Sequence, residues 1–114
     1  MKTGADLLSC AGDLVRRGWT QHADARSAEG DAVEPWDDAA AAWSLLGALV
    51  AALEEQGESG RELPLVQLAS ALDELAGLID DDSLSRWNDD PSRRQEEVVA
   101  VLDAAAVAAG RLRS

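Results

Sequence analysis

Four stretches of the chain repeat their apolar residues with the period of an α-helix, and no other feature constrains the fold as strongly. The first covers residues 5–17, ends at Gly18 and carries one stripe, formed by Leu7, Leu8, Ala11, Leu14 and Val15. Side chains three or four positions apart share one face of a helix, so each stripe predicts a helix buried on one side. Gly18 is predicted to adopt the left-handed conformation that ends many helices. Because no stretch alternates apolar and polar residues as a strand would, the sequence predicts an all-α fold.

The other stripes predict three more helices, at residues 37–56, 64–79 and 92–112. A short turn centred on Leu84 precedes the last of them. Residues 19–36 show no sustained period and are interpreted as one long loop after the first helix, which in a small domain indicates function or mobility. A chain of 114 residues suffices for one core. We therefore expect residues 1–114 to form a single four-helix bundle-like domain.

Residues that favour helix ends mark these boundaries. Asp37 or Asp38 is predicted to cap the second helix, and Pro64 suits the first turn of the third. Ser92 and Gln95 match a capping box at the start of the last helix.

The second predicted helix contains a tryptophan and a glycine four positions apart. Trp43 is expected to lie over a notch at Gly47 in helix packing, and Ser44 to form a small contact between helices. Trp36 is interpreted as a partly exposed anchor before the helix cap.

The chain carries 22 acidic and 10 basic side chains, a formal charge of −12. Such a surface repels phosphate backbones and anionic membranes, so nucleic acid and membranes are not expected as partners. Neutral small molecules, cations and basic protein surfaces remain, and solubility alone also explains the charge. No signal peptide and no apolar segment of membrane-spanning length is recognised, which predicts a cytoplasmic protein.

The residues that usually bind metals are scarce. One cysteine, Cys10, and one histidine, His22, exclude an internal disulfide and a zinc site within one chain. The run Asp80-Asp81-Asp82 lacks the glycine and glutamate that a calcium loop requires, and is interpreted as a solvated turn. The chain also lacks a glycine-rich phosphate loop and a nucleophile elbow, so neither a metal nor a cofactor is predicted.

Two segments pair an indole with an amide side chain: Trp-Thr-Gln-His at residues 19–22 and Trp-Asn-Asp at residues 87–89. In an up-and-down bundle both lie at the same end, so they are predicted to converge. One interpretation is structural: Trp87 closes the end of the bundle, and polar neighbours bond nearby backbone. The other is a pocket with an acid or base, in which amides polarise an oxygen and indoles hold a substrate. The candidate catalytic residues are then Asp89 and His22, and the candidate binding residues are Trp19, Gln21, Trp87 and Asn88.

The order of these segments resembles a family of short actinobacterial and phage proteins known as a domain of unknown function. The motifs that carry the resemblance are Gly18-Trp19-x-Gln21, Trp43-Ser44-Leu45-Leu46-Gly47-Ala48-Leu49, Trp87-Asn88-Asp89-x-Pro91 and Glu97-Val98. It extends over residues 5–109. The family usually has a cysteine at the position of Ser44 and a threonine at that of Arg94, so Ser92 is predicted to cap the last helix instead. The resemblance implies an all-helical fold and no assigned activity.

The lack of a recognisable nucleophile, metal site or cofactor motif favours a small acidic binding or accessory module, acting through its Trp-bearing end or an apolar helix face. The alternative is a small cofactor-independent acid–base enzyme, a cyclase, isomerase or hydrolase acting on a largely apolar metabolite. A deep, dry cavity among the candidate residues favours the enzyme, and a flat surface favours the module. Because Ala-rich stripes bury little area, the first or last helix is also expected to pair with a second copy in a homodimer.

Overall fold

The computed structural model describes residues 4–56, 65–79, 81 and 83–111. Its helices are α1 (Gly4–Arg17), α2 (Leu45–Gln56), α3 (Leu65–Leu78), α4 (Leu84–Asn88) and α5 (Gln95–Arg111). The central helix is α1, which contacts α2, α3 and α5. Every residue of its predicted stripe is buried, and alanines and leucines from the neighbouring helices complete the core. The apolar period therefore located the buried face of α1 correctly.

The all-α prediction is wrong, because three strands lie between α1 and α2. They are β1 (Ala25–Ser27), β2 (Ala32–Val33) and β3 (Ala40–Trp43), and they form an antiparallel sheet in the order β2-β1-β3. A bulge interrupts the register between β1 and β3 after Arg26. The fold is α+β rather than a four-helix bundle, and part of the predicted long loop is sheet.

Residues 40–43 were predicted to be helical, and long-range backbone pairing explains why they form a strand instead. The Trp43 N–H donates to the Gly18 carbonyl at 3.1 Å, and the Thr20 N–H donates to the Trp43 carbonyl at 3.2 Å. Ala favours helices by less than about 1 kcal/mol per residue over most others, and such backbone pairing outweighs so weak a preference. As a result α2 begins at Leu45, and neither Asp37 nor Asp38 caps it.

Ser44 caps α2 in place of the predicted aspartates. Its Oγ accepts the Gly47 N–H at 3.0 Å, and its own N–H donates to the Asp24 carbonyl at 3.0 Å. Ser44 therefore joins the sheet region to the helix, rather than making the small interhelical contact that was predicted.

Gly18 and Gly47 are required for a different reason from the one predicted. Within the described residues Gly30 is the only glycine with a positive φ, so Gly18 does not adopt the left-handed conformation. A Cβ at Gly18 would instead overlap the Ala41 carbonyl, and one at Gly47 would overlap the Asp24 carbonyl. Each glycine allows two backbones to approach closely, and the predicted Trp43–Gly47 notch is filled by backbone.

The last helix begins without the predicted Ser92–Gln95 capping box. Arg94 is the residue that precedes α5. Its backbone N–H donates to Glu97 Oε1 at 2.8 Å, so this N–H has a hydrogen-bond partner. The Ser92 hydroxyl donates to Asp90, while Gln95 Nε2 donates to the Val15 carbonyl at 2.6 Å and ties α5 to α1. An acidic residue in the first turn also suits the helix dipole.

Several sequence predictions fall outside the described residues: Pro64 at the start of the third helix, and Asp80 and Asp82 of the acidic run. The single-domain assignment over residues 1–114 is not tested by the structure and stays a prediction. None of the helices in the described ranges is long and apolar enough to cross a membrane.

Candidate functional site

The two Trp-bearing segments lie against each other, as predicted from the helix count. Five hydrogen bonds that involve side chains join residues 19–22, which follow α1, to residues 88–90 at the end of α4 and in the turn after it. The topology that brings them together differs from a bundle, because the sheet holds residues 18–20 in place through β3.

Asn88 is the centre of this contact and is 1% exposed. Its Oδ1 accepts the Trp19 indole N–H at 2.7 Å and the Leu45 N–H at 3.0 Å. Its Nδ2 donates to the Thr20 carbonyl at 3.1 Å and to Asp89 Oδ1 at 3.0 Å. An amide offers two donor hydrogens and two acceptor lone pairs, so all four capacities of Asn88 are used within the protein.

The amide donors of Gln21 are also bonded within the protein. Its Nε2 donates to the carbonyls of Asn88 at 2.9 Å and Asp90 at 2.8 Å. Both donor hydrogens of this amide are therefore directed at backbone, and the pair fixes the turn after α4.

His22 and Asp89 form the exposed edge of the cluster. The backbone N–H of His22 donates to Asp89 Oδ1 at 2.9 Å, and the imidazole Nδ1 of His22 lies 3.7 Å from Asp89 Oδ2. The imidazole is 70% exposed and the carboxylate 30%. His22 has a φ of 65°, and His is among the residues that adopt this left-handed region more often than most. The geometry places an imidazole beside a carboxylate, but in a hydrated setting.

Trp87 is half-buried against the core and takes a separate role. The Arg93 guanidinium lies 3.8 Å from the centre of its ring, and Arg93 Nε donates to the Trp87 carbonyl at 2.9 Å. A guanidinium on an indole face is an attractive cation–π arrangement. The face of Trp87 under Arg93 is therefore already occupied by the protein itself.

Asp90 begins the turn that leads to α5. The Ser92 N–H and hydroxyl both donate to its carboxylate, at 2.9 and 2.7 Å. These bonds, the backbone one foremost, hold the pKa of Asp90 below its ordinary value, and Arg93 adds a smaller effect in the same direction. Asp90 is thus a structural carboxylate that orders the turn.

A groove of about 350 Å³ lies beside this cluster. Its lining is mostly polar and consists of His22, Ala23, Asp24, Ser44, Ser85, Asn88 and Asp89. Of the predicted binding residues, Trp19, Gln21 and Trp87 are not among the lining residues. The structure thus brings both segments together, but it does not assemble all six candidate residues around this groove.

Sequence reasoning missed a larger groove on another part of the surface. It measures about 560 Å³ and lies between the β2–β3 connection and the ends of α1 and α2. We call it the aromatic–acidic groove; its lining includes Arg17, Trp36, Asp37, Asp38, Trp43, Glu54 and Glu55. Two signals were present in the sequence, the Trp-Asp-Asp run at 36–38 and the paired glutamates at 54–55. The sequence pattern instead assigns Trp43 to helix packing and Trp36 to a partly exposed anchor before the helix cap.

The described residues contain no group of three or more His, Cys, Asp or Glu side chains placed to hold a metal ion.

The fold and these contacts define a small α+β protein in which a short antiparallel sheet and the loop after α1 are fastened to α4 through one buried asparagine. The chain belongs to the Family of unknown function (DUF6197), whose model matches residues 1–108. The resemblance found in the sequence to a family without assigned activity is thereby confirmed. No curated protein and no solved structure matches the chain.

Proposed function

We propose that this protein is a small acidic binding or accessory module without catalytic activity of its own. The observation that carries the proposal is the saturation of Asn88, whose four hydrogen-bonding capacities are all met inside the protein. An amide that polarises a substrate oxygen must keep a donor available for it, and Asn88 keeps none. Gln21, the other candidate for that role, directs both donors at backbone.

One observation favours the acid–base enzyme as a second candidate. His22 Nδ1 lies 3.7 Å from Asp89 Oδ2, and both residues line the same groove. General acid–base catalysis needs a group within reach of the substrate proton, and this pair is accessible. The 70% exposure of the imidazole argues against it, because electrostatic catalysis gains most where water is excluded. The groove is polar, whereas the proposed substrate was largely apolar.

We further infer that the partner is not nucleic acid or a membrane, because a formal charge of −12 opposes both. The cytoplasm stays the proposed compartment, as the sequence predicts. A homodimer also stays part of the proposal.

The proposal is tested by measuring metabolite turnover and partner binding in parallel. The purified protein is incubated with a metabolite extract from cells that produce it naturally, and metabolites are followed by mass spectrometry. We expect no metabolite to be consumed, and we expect affinity capture from the same cells to retain a partner that His22→Ala and Asp89→Asn still bind. A metabolite consumed by the wild type and spared by either variant would overturn the proposal in favour of the enzyme.

A further inference from the structure

We propose that the aromatic–acidic groove binds an arginine- or lysine-bearing segment of a partner protein. The inference rests on the proposed function, because it assigns a surface and a partner chemistry to the binding module. The groove shares no lining residue with the groove beside Asn88. The amides of Asn88 and Gln21 make their hydrogen bonds within the protein.

The aromatic side of the groove is exposed and held in position. Trp36 is 54% exposed, although a tryptophan in a monomer usually buries most of its surface. Its neighbour Pro35 is buried, and the Pro35 carbonyl accepts the Trp43 indole N–H at 2.9 Å. The following turn is closed by the Ala40 N–H, which donates to the Asp37 carbonyl at 2.9 Å. Trp36 is therefore presented on a fixed backbone, as residues that dominate binding interfaces are.

The groove already accommodates a cation on an indole. The Arg17 guanidinium carbon lies 5.5 Å from the ring centre of Trp43, within the range of a cation–π interaction. Trp43 is itself buried, so it forms the floor while Trp36 stands at the edge. Within one groove the protein shows the interaction that a guanidinium from a partner would make with Trp36.

The charge of the lining selects a cationic occupant. Four exposed carboxylates, those of Asp37, Asp38, Glu54 and Glu55, line the groove together with one guanidinium, that of Arg17. Asp37 and Glu55 also accept hydrogen bonds from the Ala39 N–H and the Cys10 thiol, at 2.8 and 3.4 Å. An acidic rim beside an exposed indole matches a basic segment in both charge and apolar character. The volume of about 560 Å³ suits side chains of an extended peptide.

Two pairs of matched variants separate this site from general attraction to an acidic protein. Asp38→Asn with Glu54→Gln removes two of the four negative charges of the groove, whereas Glu29→Gln with Asp31→Asn removes the same charge from the exposed β1–β2 turn. Trp36→Ala removes the exposed indole, and Leu78→Ala truncates an exposed apolar residue on α3 that does not line the groove. All six positions are exposed, and circular dichroism verifies that each variant folds.

The probe is a fluorescent peptide that alternates glycine with four arginines, and binding is followed by anisotropy at about 0.15 M salt, where distant surface charges are screened. We expect Trp36→Ala and the groove double variant each to weaken binding by about tenfold, the effect of losing an interface anchor. The two control variants should change the affinity by about twofold or less, as exposed substitutions usually do. If one variant fails to fold, the other matched pair decides the outcome.

Three results would overturn the inference. The first is that the peptide does not bind. The second is that the groove double variant and the control double variant weaken peptide binding equally. The third is that free arginine or spermidine displaces the labelled peptide as well as unlabelled peptide does, which would indicate a small-cation site. The proposed function fails separately. If a captured partner still binds to Trp36→Ala and to the groove double variant, the protein is a binding module but the groove is not its binding site. If metabolite turnover is observed and is lost in the His22 variant, the protein is not a non-catalytic module.

Discussion

At the scale of single residues, Asn88 connects three parts of the chain that are far apart in sequence. Its side chain bonds the loop after α1 through Trp19 and Thr20, and the first turn of α2 through Leu45. It is also the only asparagine in the chain. A buried amide with every partner in place is specific to one arrangement of its surroundings, because any other leaves polar groups without bonds.

Asn88→Ala is expected to lower the free energy of unfolding by about 3 kcal/mol, because it leaves the Leu45 N–H unbonded in the interior and the Trp19 indole N–H and Thr20 carbonyl unbonded where they are partly buried. Ser85→Ala, an exposed change on the same helix α4, serves as the control and should stay within about 0.5 kcal/mol of the wild type. Urea denaturation followed by tryptophan fluorescence measures both. Equal stabilities for the two variants would contradict the structural role of Asn88.

Ser92→Ala is expected to raise the pKa of Asp90 towards its ordinary value, because the hydroxyl that donates to the carboxylate is lost while the backbone N–H remains. Since folding lowers this pKa, the contribution of Asp90 to stability is complete above the unfolded value and is lost as pH falls through the folded one. The variant should therefore lose that contribution at a higher pH. Titration of the Asp90 carboxyl carbon by NMR measures the shift, and an unchanged pKa would contradict the assignment.

At the scale of elements, the helices follow the sequence pattern and the strands do not. The stripe of α1 is buried as predicted, and α4 and α5 occur close to the predicted turn and last helix. The strands are two to four residues long, too short to show alternation, and β3 consists of three alanines and Trp43. Alanine favours helix locally, so only pairing with β1 and with Gly18 makes this segment extended.

Gly47→Ala is expected to lower the free energy of unfolding by about 2 kcal/mol, because the new Cβ overlaps the Asp24 carbonyl and forces the sheet away from α2. Gly77→Ala in α3 is the matched control: its Cβ meets nothing within 4 Å, so it should gain about 0.5 kcal/mol from helix propensity. Chemical denaturation compares the two. A Gly47 variant as stable as the Gly77 variant would show that the close approach is unimportant.

At the scale of the whole molecule, a core made largely of alanine and leucine supports a surface of strong negative charge. The core contains one tryptophan, Trp43, while Trp36 stays on the surface and Trp19 and Trp87 only border the core. Two other large apolar side chains are also about half exposed, Leu78 on α3 and Val107 on α5. Val107 therefore leaves apolar surface on the last helix, one of the two helices expected to pair with a second copy.

The protein is expected to form a dimer at high micromolar concentration, and the dimer should strengthen with salt, because screening weakens repulsion between two chains of formal charge −12. Sedimentation velocity at low and high ionic strength measures this. Val107→Asp should shift the equilibrium towards monomer by placing a carboxylate in the apolar contact, whereas Glu29→Gln, on the exposed β1–β2 turn, should not. Only monomer at both salt concentrations would rule out the dimer.

The sequence by itself determined the buried face of α1 and the acidic surface, because apolar period and net charge are properties of the chain alone. It also predicted the contact between the two Trp-bearing segments, but from a bundle topology that the sheet replaces. Only the tertiary structure decided where the sheet forms, why Gly18 and Gly47 are glycines, and that the Asn88 amide makes all its hydrogen bonds within the protein. These depend on backbone groups of distant residues meeting at hydrogen-bonding or van der Waals distance. The aromatic–acidic groove arises in the same way, since it requires the turn at Trp36 to lie beside the ends of α1 and α2.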